Sequence, residues 1–287
     1  NVVGVRTNKR TIKSDYVILS GGVVGTCDLL LREKNRQIEA NNPIFDNFSF
    51  GKKIKDHTNL RVNITANKKI GSLNEISASY FQQFFLLLKH YFGISSFMKG
   101  TGATSAVHLD LDKDGVIDTR VQIVQFSETG RHGSDGEFFS THEPGFSLSI
   151  TTINPKSRGE IKVDGEGNSI NPKFLSESSD IELLKLSLKF CLELLKSEPI
   201  CQHILNIDRE KEIISNPEDY IRNNIYSGHH LIGGMQDAIN SNFQLKGLKG
   251  IYICDASVFD TYAASNIHSS VVQLADNFSK KFISNHN

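Results

Sequence analysis

The chain has 287 residues, 38% hydrophobic and 22% charged, which is ordinary for a globular protein of one large or two modest domains. Its 32 Lys and Arg residues balance its 32 Asp and Glu residues. This balance argues against nucleic acid or an anionic membrane as the main partner, although it allows local basic patches. No apolar run reaches the roughly 18–20 residues of a transmembrane segment. The four cysteines form no C-x-x-C pair, which favours a reducing compartment such as the cytoplasm.

The N-terminal residues predict short strands and then a strand–turn–helix unit. The stretch "NVVGVRTNKRTIKSDYVILSGG" has a strand–turn–strand pattern, in which "DYVILSGG" is typical of a buried strand followed by small residues. The stretch "VGTCDLLLREKN" predicts a helix with Thr26 as its N-cap. Because the sequence opens on Asn1 within a hairpin-like pattern, we expect it to be the C-terminal part of a longer chain.

Aromatic residues and leucines are concentrated between residues 75 and 98, in "SYFQQFFLLLKHYFGISSF". A helix packed against a sheet is the simplest interpretation of this stretch. The alternative is an apolar lid, or a surface that contacts lipid or an apolar substrate.

The remaining pattern predicts an antiparallel sheet followed by helices. Residues 105–126 and 146–163 alternate apolar and polar side chains, as half-buried strands do. Residues 180–197 predict an amphipathic helix that ends before Pro199. Near the C-terminus, "LKGIYICDAS" predicts a strand and "SSVVQLADNFSKKFI" a final helix.

One acidic loop has part of the spacing of a calcium-binding loop. The stretch "DLDKDGVID" places Asp110, Asp112, Asp114 and Asp118 in D-x-D-x-D-G-x-I-D spacing, with Gly115 where the sharp turn is expected. However, Val121 occupies the position where a bidentate Glu would complete the calcium ligands, and the flanks are strand-like. A structural hairpin turn is therefore favoured over a calcium site.

Two adjacent histidines, His229 and His230, lie in the Gly-rich stretch "YSGHHLIGGM". Neighbouring side chains point in different directions on a helix or a strand, and no H-x-x-x-H or acidic cluster accompanies them. A metal site is therefore disfavoured. Without further context, a buried core histidine is the usual interpretation.

The order of the motifs around these histidines resembles that of the glucose–methanol–choline (GMC) family of flavin-dependent oxidoreductases. The strongest similarity is the C-terminal block, in which "HLIGGM" precedes "GIYICDASVFDTYAASNIHSSVVQLADNF". Three further segments are similar to the family's Gly-turn unit, Asp-His segment and Ser-Arg-Gly strand: "DYVILSGGVVGTCDLLL", "FGKKIKDHTNLRV" and "INPKSRGEIKV". These segments span nearly the whole chain, although residues 65–145 show little of the pattern.

The resemblance implies an FAD-dependent oxidoreductase that acts on CH–OH groups by transferring hydride to flavin N5. It implies that His230, which begins the H-x-x-G stretch, is the general base that removes the hydroxyl proton. His229 is the alternative base, at a shift of one residue. Asn266 is implied to hold the substrate oxygen.

The resemblance also implies which residues approach the cofactor. Asp255 and Ala256 correspond to the strand end that reaches the flavin, and Gly22 lies in the Gly-rich turn. Asn266 and Ile267 precede the last helix, whose N-terminal dipole stabilises negative charge on the reduced flavin ring. No metal is implied.

The implied fold combines α/β and α+β elements. It is the C-terminal part of a Rossmann-like FAD-binding domain, with an inserted substrate domain built on an antiparallel sheet with helices. We expect residues 1–57 to belong to the FAD-binding domain, residues 58–224 to bind substrate, and residues 225–287 to complete the FAD-binding domain with the active-site motif.

The partners follow from the same resemblance. The G-x-G-x-x-G fingerprint is missing, so the N-terminal FAD-binding part of the same enzyme is expected, and these residues alone are expected to be inactive. The expected substrate is a small-molecule alcohol, either a sugar or a bulky, apolar alcohol. The electron acceptor is oxygen or another molecule.

The sequence departs from the family pattern at two positions, and an alternative function is also considered. Gly234 stands where the family usually has Thr, and Ile267 stands where Pro often follows the Asn. The alternative is a non-catalytic calcium- or carbohydrate-binding β-module, which rests on the acidic loop and the antiparallel middle of the chain.

Overall fold

The structure is a computed structural model that describes residues 1–40, 44–45, 47–94, 103–129, 139–140, 142–164, 167–262 and 266–286. The strands are β1 Gly4–Arg6, β2 Thr11–Lys13, β3 Val17–Leu19, β4 Lys52–Lys55, β5 Thr58–Ala66, β6 Ala103–Leu109, β7 Thr119–Val124, β8 Glu128–Thr129, β9 Phe139–Ser140, β10 Gly145–Thr152, β11 Gly159–Val163, β12 Asn168–Asn171, β13 Ile204–Ile207, β14 Tyr226–Ser227, β15 Ile232–Gly234 and β16 Ile251–Ile253. The helices are α1 Gly22–Glu39, α2 Leu73–Ser77, α3 Tyr80–Tyr91, α4 Ser178–Leu195, α5 Glu210–Ser215, α6 Pro217–Asn224 and α7 His268–His286.

The chain divides into two compact units, each built from separate segments. Unit 1 contains residues 1–57, 154–177 and 228–287, and unit 2 contains residues 58–153 and 178–227. The predicted substrate-binding range therefore does not form one continuous segment. Residues 154–177 belong to unit 1 because β11, which they contain, pairs with β4. No local sequence pattern indicates this long-range pairing.

Unit 1 is organised around an antiparallel sheet with the strand order β12-β11-β4-β15. Buried Ile54, Ile161 and Ile232, one from each of β4, β11 and β15, belong to one hydrophobic core cluster. Helix α1 contributes Cys27 and Leu30 to the same cluster, since residues three apart lie on one face of a helix. Burial of this apolar surface is the main stabilising contribution to the unit.

A parallel strand pair forms a second element of unit 1. Strand β16 pairs with β3 in the register Val17↔Ile251, and α1 follows β3 in the chain. The final helix, α7, buries Leu274 and Phe278. The predicted strand–turn–helix and strand–helix units are therefore present at both ends of the sequence.

Unit 2 is built on an antiparallel sheet in the order β13-β5-β10-β7-β6, with β14 also paired to β5. The predicted combination of helices with an antiparallel sheet is confirmed. Helix α4 packs against β10 and β7, where the hydroxyl oxygens of Ser187 and Thr119 are 3.3 Å apart. As predicted, the helix ends before Pro199.

The two faces of the unit 2 sheet differ sharply in polarity. Leu60, Val62 and Ile64 of β5 are buried on one face, and the intervening residues lie on the other. The Thr151 hydroxyl donates to Asn59 Oδ1 over 2.7 Å on that second face. By strand alternation and register, this face carries Asn59, Arg61, Asn63, Arg120, Gln122, Ser147, Ser149 and Thr151.

The aromatic stretch forms two helices, α2 and α3, and differs from its simplest interpretation. Residues 95–98 of the stretch lie outside the described residues. Helix α3 begins after Ser79, whose hydroxyl accepts the Gln82 N–H, and none of its residues is buried. The interpretation that this helix packs its apolar face against a sheet is therefore wrong. Among the residues that the structure describes, no helix has the length and apolar character needed to cross a bilayer.

Candidate active site

Two histidines from distant parts of the chain meet at one end of the unit 1 sheet. His57 follows β4 and His230 precedes β15, and these two strands pair with Ile232 opposite Lys55. The antiparallel pairing brings the two residues to the same end of the strands. Their Nδ1 atoms are 3.3 Å apart, and their rings meet edge-to-face at a centroid distance of 5.3 Å.

The backbone of His230 is held on both sides by side chains. Its N–H donates to Asp56 Oδ1 over 2.9 Å, and its carbonyl oxygen accepts the Tyr262 hydroxyl over 2.9 Å. The neighbouring Gly228 N–H donates to the His57 carbonyl oxygen over 2.8 Å. These hydrogen bonds fix the position of the loop that carries His230.

His57 is buried beside Tyr262. His57 is 2% exposed, and its ring centroid lies 3.9 Å from that of Tyr262. Burial raises the pKa of Tyr262, and the nearby Asp56 charge raises it further. The tyrosine therefore stays a neutral hydroxyl donor to His230 across the physiological pH range.

Asn266, immediately before α7, completes the group around His230. Its side-chain nitrogen lies 3.4 Å from His230 Nε2. An amide nitrogen only donates, so a hydrogen bond from Asn266 uses the tautomer of His230 that has its ring hydrogen on Nδ1. In that tautomer the hydrogen faces Nδ1 of His57, and Nε2 faces the Asn266 amide with a lone pair.

His229 occupies a different environment from its neighbour. It is exposed and has a left-handed backbone with φ of +59°. The contacts with His57 and Asn266 are made by His230. Of the two predicted bases, the structure brings His230 together with the predicted partner Asn266.

Asp255 and Ala256, the predicted cofactor residues at the end of β16, are buried. Asp255 Oδ2 accepts the Thr26 hydroxyl over 2.5 Å, and Oδ1 accepts the Ser257 N–H over 2.9 Å. Both oxygens of the carboxylate therefore fix the chain at the strand end. The prediction that Thr26 is an N-cap is wrong, because α1 already begins at Gly22 and Thr26 bonds Asp255 from inside the helix.

Gly22 and Ile267 each stand at a helix N-terminus. Gly22 has φ of +71°, and a Cβ placed on it would meet no atom within 4 Å. This open side leaves room for a ligand to approach the backbone. Ile267 packs against the core cluster of unit 1, and its carbonyl oxygen accepts the Val271 N–H over 2.9 Å in the first turn of α7.

The Gly-rich turn after His230 explains one departure from the family pattern. Gly234 has φ of +101°, and a Cβ there would lie 2.7 Å from Cys27 Sγ. Cys27 is fully buried, so the sulfur has little room to move. A side chain at this position conflicts with both the backbone and the core.

Replacing Gly234 with Thr, the residue usual in the family, is therefore expected to destabilise unit 1. The strained φ and the steric overlap together should cost about 2–4 kcal/mol of unfolding free energy, measured by urea denaturation. Gly25→Ala is the matched control, because Gly25 has helical backbone and open space around it. Equal stability of Gly234→Thr and the unmodified protein would contradict this expectation.

Three residues of the site were missed by sequence reasoning. His57, Asp56 and Tyr262 contribute the contacts that orient His230. The available signal was the Asp-His pair directly after a predicted strand, in "KKIKDHTN". The pairing of that strand with the segment after His230 joins residues 173 positions apart, and no local pattern indicates it.

The acidic loop between β6 and β7 uses its carboxylates for its own turn. Oxygens of Asp110, Asp112 and Asp118 lie within 4.8 Å of one another. Asp110 accepts the Gly115 N–H over 2.9 Å, and Asp118 accepts the Leu111 N–H over 3.2 Å. This turn-stabilising pattern agrees with the favoured interpretation of a structural hairpin.

Comparisons with known proteins agree with the resemblance read from the sequence. The family model described as GMC oxidoreductase matches residues 155–275. Glucose dehydrogenase [FAD, quinone] of Drosophila pseudoobscura pseudoobscura is 22% identical, over 96% of this chain and 49% of that protein. Pyridoxine 4-oxidase of Microbacterium luteolum is 25% identical, over 51% of this chain and 32% of that protein.

The fold agrees with solved structures of similar enzymes. The chain matches the crystal structure of a formate oxidase with a TM-score of 0.82 at 16% identity, over 96% of this chain and 55% of that one. The chain thus shares the fold of that formate oxidase. It is similar in sequence to GMC oxidoreductases, and residues 155–275 match the model of that family. It spans about half the length or less of the curated relatives it matches.

Proposed function

We propose that the protein is an FAD-dependent oxidoreductase that acts on CH–OH groups, with His230 as general base. The observation that carries the proposal is the contact of His230 Nε2 with Asn266, since it puts an imidazole nitrogen that can accept a proton beside an amide that can donate a hydrogen bond. The similarity to GMC oxidoreductases supports the same activity. An alcohol oxygen bound at these two groups would meet one proton acceptor and one hydrogen-bond donor.

The proposed chemistry of the chain is proton removal and positioning. As the alcohol is oxidised, its hydroxyl proton passes to His230 Nε2, while the Asn266 amide holds the oxygen. Histidine suits this role because its unperturbed pKa of about 6.5 lies near neutral pH. His57 accepts the Nδ1 hydrogen of His230 and so stabilises the protonated ring that results.

FAD is the proposed cofactor, and the residues fit it. Bound FAD would supply the hydride acceptor. Gly22 offers backbone with an open side, and Asp255 and Ala256 form a rigid strand end. The first turn of α7, which follows Asn266 and Ile267, contains no acidic residue. Its N-terminal dipole is therefore available to stabilise a negatively charged ring.

We propose that unit 1 belongs to a Rossmann-like FAD-binding domain. The parallel pair of β3 and β16, with α1 following β3, supports this assignment. These 287 residues contain no G-x-G-x-x-G motif, so we propose that an N-terminal FAD-binding part of the same enzyme holds the adenine nucleotide.

The substrate class that we propose is a polar small-molecule alcohol such as a sugar. The support is the polar face of the unit 2 sheet, where amides and hydroxyls of Asn59, Gln122 and Thr151 occur together. Such groups hydrogen-bond hydroxyl-rich ligands and discriminate against apolar ones, which would leave them unpaired.

The test is to express the chain with and without an N-terminal FAD-binding part and to measure bound flavin by its visible absorbance. We expect flavin only in the combined protein. Anaerobic addition of sugars and apolar alcohols then shows which class bleaches the flavin, and oxygen uptake or dye reduction identifies the acceptor. A combined, folded protein that never retains FAD would refute the proposal.

A further inference from the structure

Helix α3 turns its apolar side outward. The side chains of its glutamines, Gln82 and Gln83, are only half-exposed, although glutamine prefers solvent. Tyr80 is 90% exposed and Phe81 71%. The aromatic side chains of this helix are therefore more exposed than its glutamines, whereas in most surface helices the polar side chains are the more exposed. The exposed side chains of α3 that form this apolar side are Tyr80, Phe81, Phe84, Phe85, Leu87 and Tyr91.

These side chains form a continuous surface because of their helical spacing. Residues three, four and seven apart share one side of a helix, and Tyr80, Phe84, Leu87 and Tyr91 follow that spacing. The rings of Phe81 and Phe85 are in contact, with centroids 4.7 Å apart. A contiguous exposed aromatic surface is unusual in soluble proteins and marks an interaction site.

The sequence around α3 carries a basic excess. Lys89 lies in α3 and Lys68 and Lys69 precede α2; all three are exposed, and the sequence from residue 76 to residue 94 contains no Asp or Glu. The preceding carboxylate, Glu75, is buried and accepts the Ser72 N–H over 2.8 Å. The near-zero charge of the whole chain thus conceals a basic excess in residues 68–94, which contain three lysines and one carboxylate.

We propose that α3 binds an anionic lipid surface and lies in its interfacial plane. The 12 residues of α3 span about 18 Å, much less than a bilayer core of about 30 Å. An apolar side on a helix whose charged residues are basic, here Lys89 and His90 in the last turn, is the pattern of interfacial helices. Tyrosines at both ends, Tyr80 and Tyr91, suit the boundary between acyl chains and water.

The test is vesicle co-sedimentation of the purified protein. We expect binding to vesicles of phosphatidylcholine with phosphatidylglycerol and weaker binding to phosphatidylcholine alone, with the difference lost at high salt. The double variant Phe81→Gln/Phe84→Gln should reduce binding about tenfold or more, because the buried apolar area falls. Lys68→Glu/Lys69→Glu should remove the preference for anionic vesicles.

The matched control is Leu205→Gln/Ile214→Gln, which removes apolar side chains of comparable exposure elsewhere in unit 2. We expect it to bind vesicles like the unmodified protein. The proposal is overturned if the unmodified protein binds neither vesicle, or if the α3 double variant binds as well as the control. It is also overturned if the protein forms a dimer that only the α3 variant abolishes, since α3 would then bind a second copy of the chain.

Discussion

Replacing His230 with Ala should slow reduction of the bound flavin by alcohol about 10²–10⁴-fold, the usual contribution of a positioned general base. The physical reason is that the alcohol proton loses its acceptor, while the contacts that shape the loop are retained. The Asp56 and Tyr262 hydrogen bonds are made to backbone atoms of His230, so the variant keeps both. Stopped-flow absorbance under anaerobic conditions measures the rate directly.

His229→Ala provides the matched control for this experiment. It removes the adjacent, exposed imidazole and leaves His57 and Asn266 in contact with His230. We expect its rate to stay within an order of magnitude of the unmodified protein. If His229→Ala lost as much activity as His230→Ala, or if only His229→Ala lost it, the assignment of the base would be wrong.

Replacing His57 with Phe should reduce kcat/KM about 10- to 100-fold, as is typical when the partner that orients a functional histidine is lost. Phe retains a ring that packs against Tyr262 but has no acceptor for the Nδ1 hydrogen of His230. His57→Asn is the conservative comparison, because its side-chain oxygen lies near the position of the original Nδ1. We expect His57→Asn to recover most of the activity.

The pH profile separates a positioning role of His57 from a purely structural one. Without the His57 acceptor, the protonated ring of His230 is less stabilised, so the acidic limb of the kcat/KM profile should move to lower pH in His57→Phe. Asp56, Tyr262 and Arg158 are charged or titratable groups near the pair, and both variants retain them. An unchanged acidic limb in His57→Phe would argue that His57 only fills space.

Local sequence patterns predicted where helices and strands occur better than they predicted which strands pair. The helix over residues 180–197 and the alternating strands of the middle were visible because side-chain periodicity reports which face is buried. Strand pairing at long range has no such local signature. The pairing of β11 with β4, which moves residues 154–177 into unit 1, could not be read from either strand alone.

The candidate site shows the same division. The H-x-x-G spacing and the Asn before the last helix pointed to His230 and Asn266, and the structure places their side chains 3.4 Å apart. The role of His57 escaped notice because its partner is 173 residues away. The prediction that helix α3 packs against a sheet failed for another reason. Periodicity shows that a helix has an apolar side, but it does not show what that side contacts.

The interleaved path of the chain also sets the order in which unit 1 can assemble during synthesis. Strand β4 is synthesised before unit 2, but its neighbour β15 cannot pair with it until the ribosome has added all of unit 2. Until then, one edge of β4 lacks its partner, and the loop-closure entropy must be overcome across the whole segment between the two strands. Unit 2 can fold in the meantime, and the two histidines meet only after it has been synthesised.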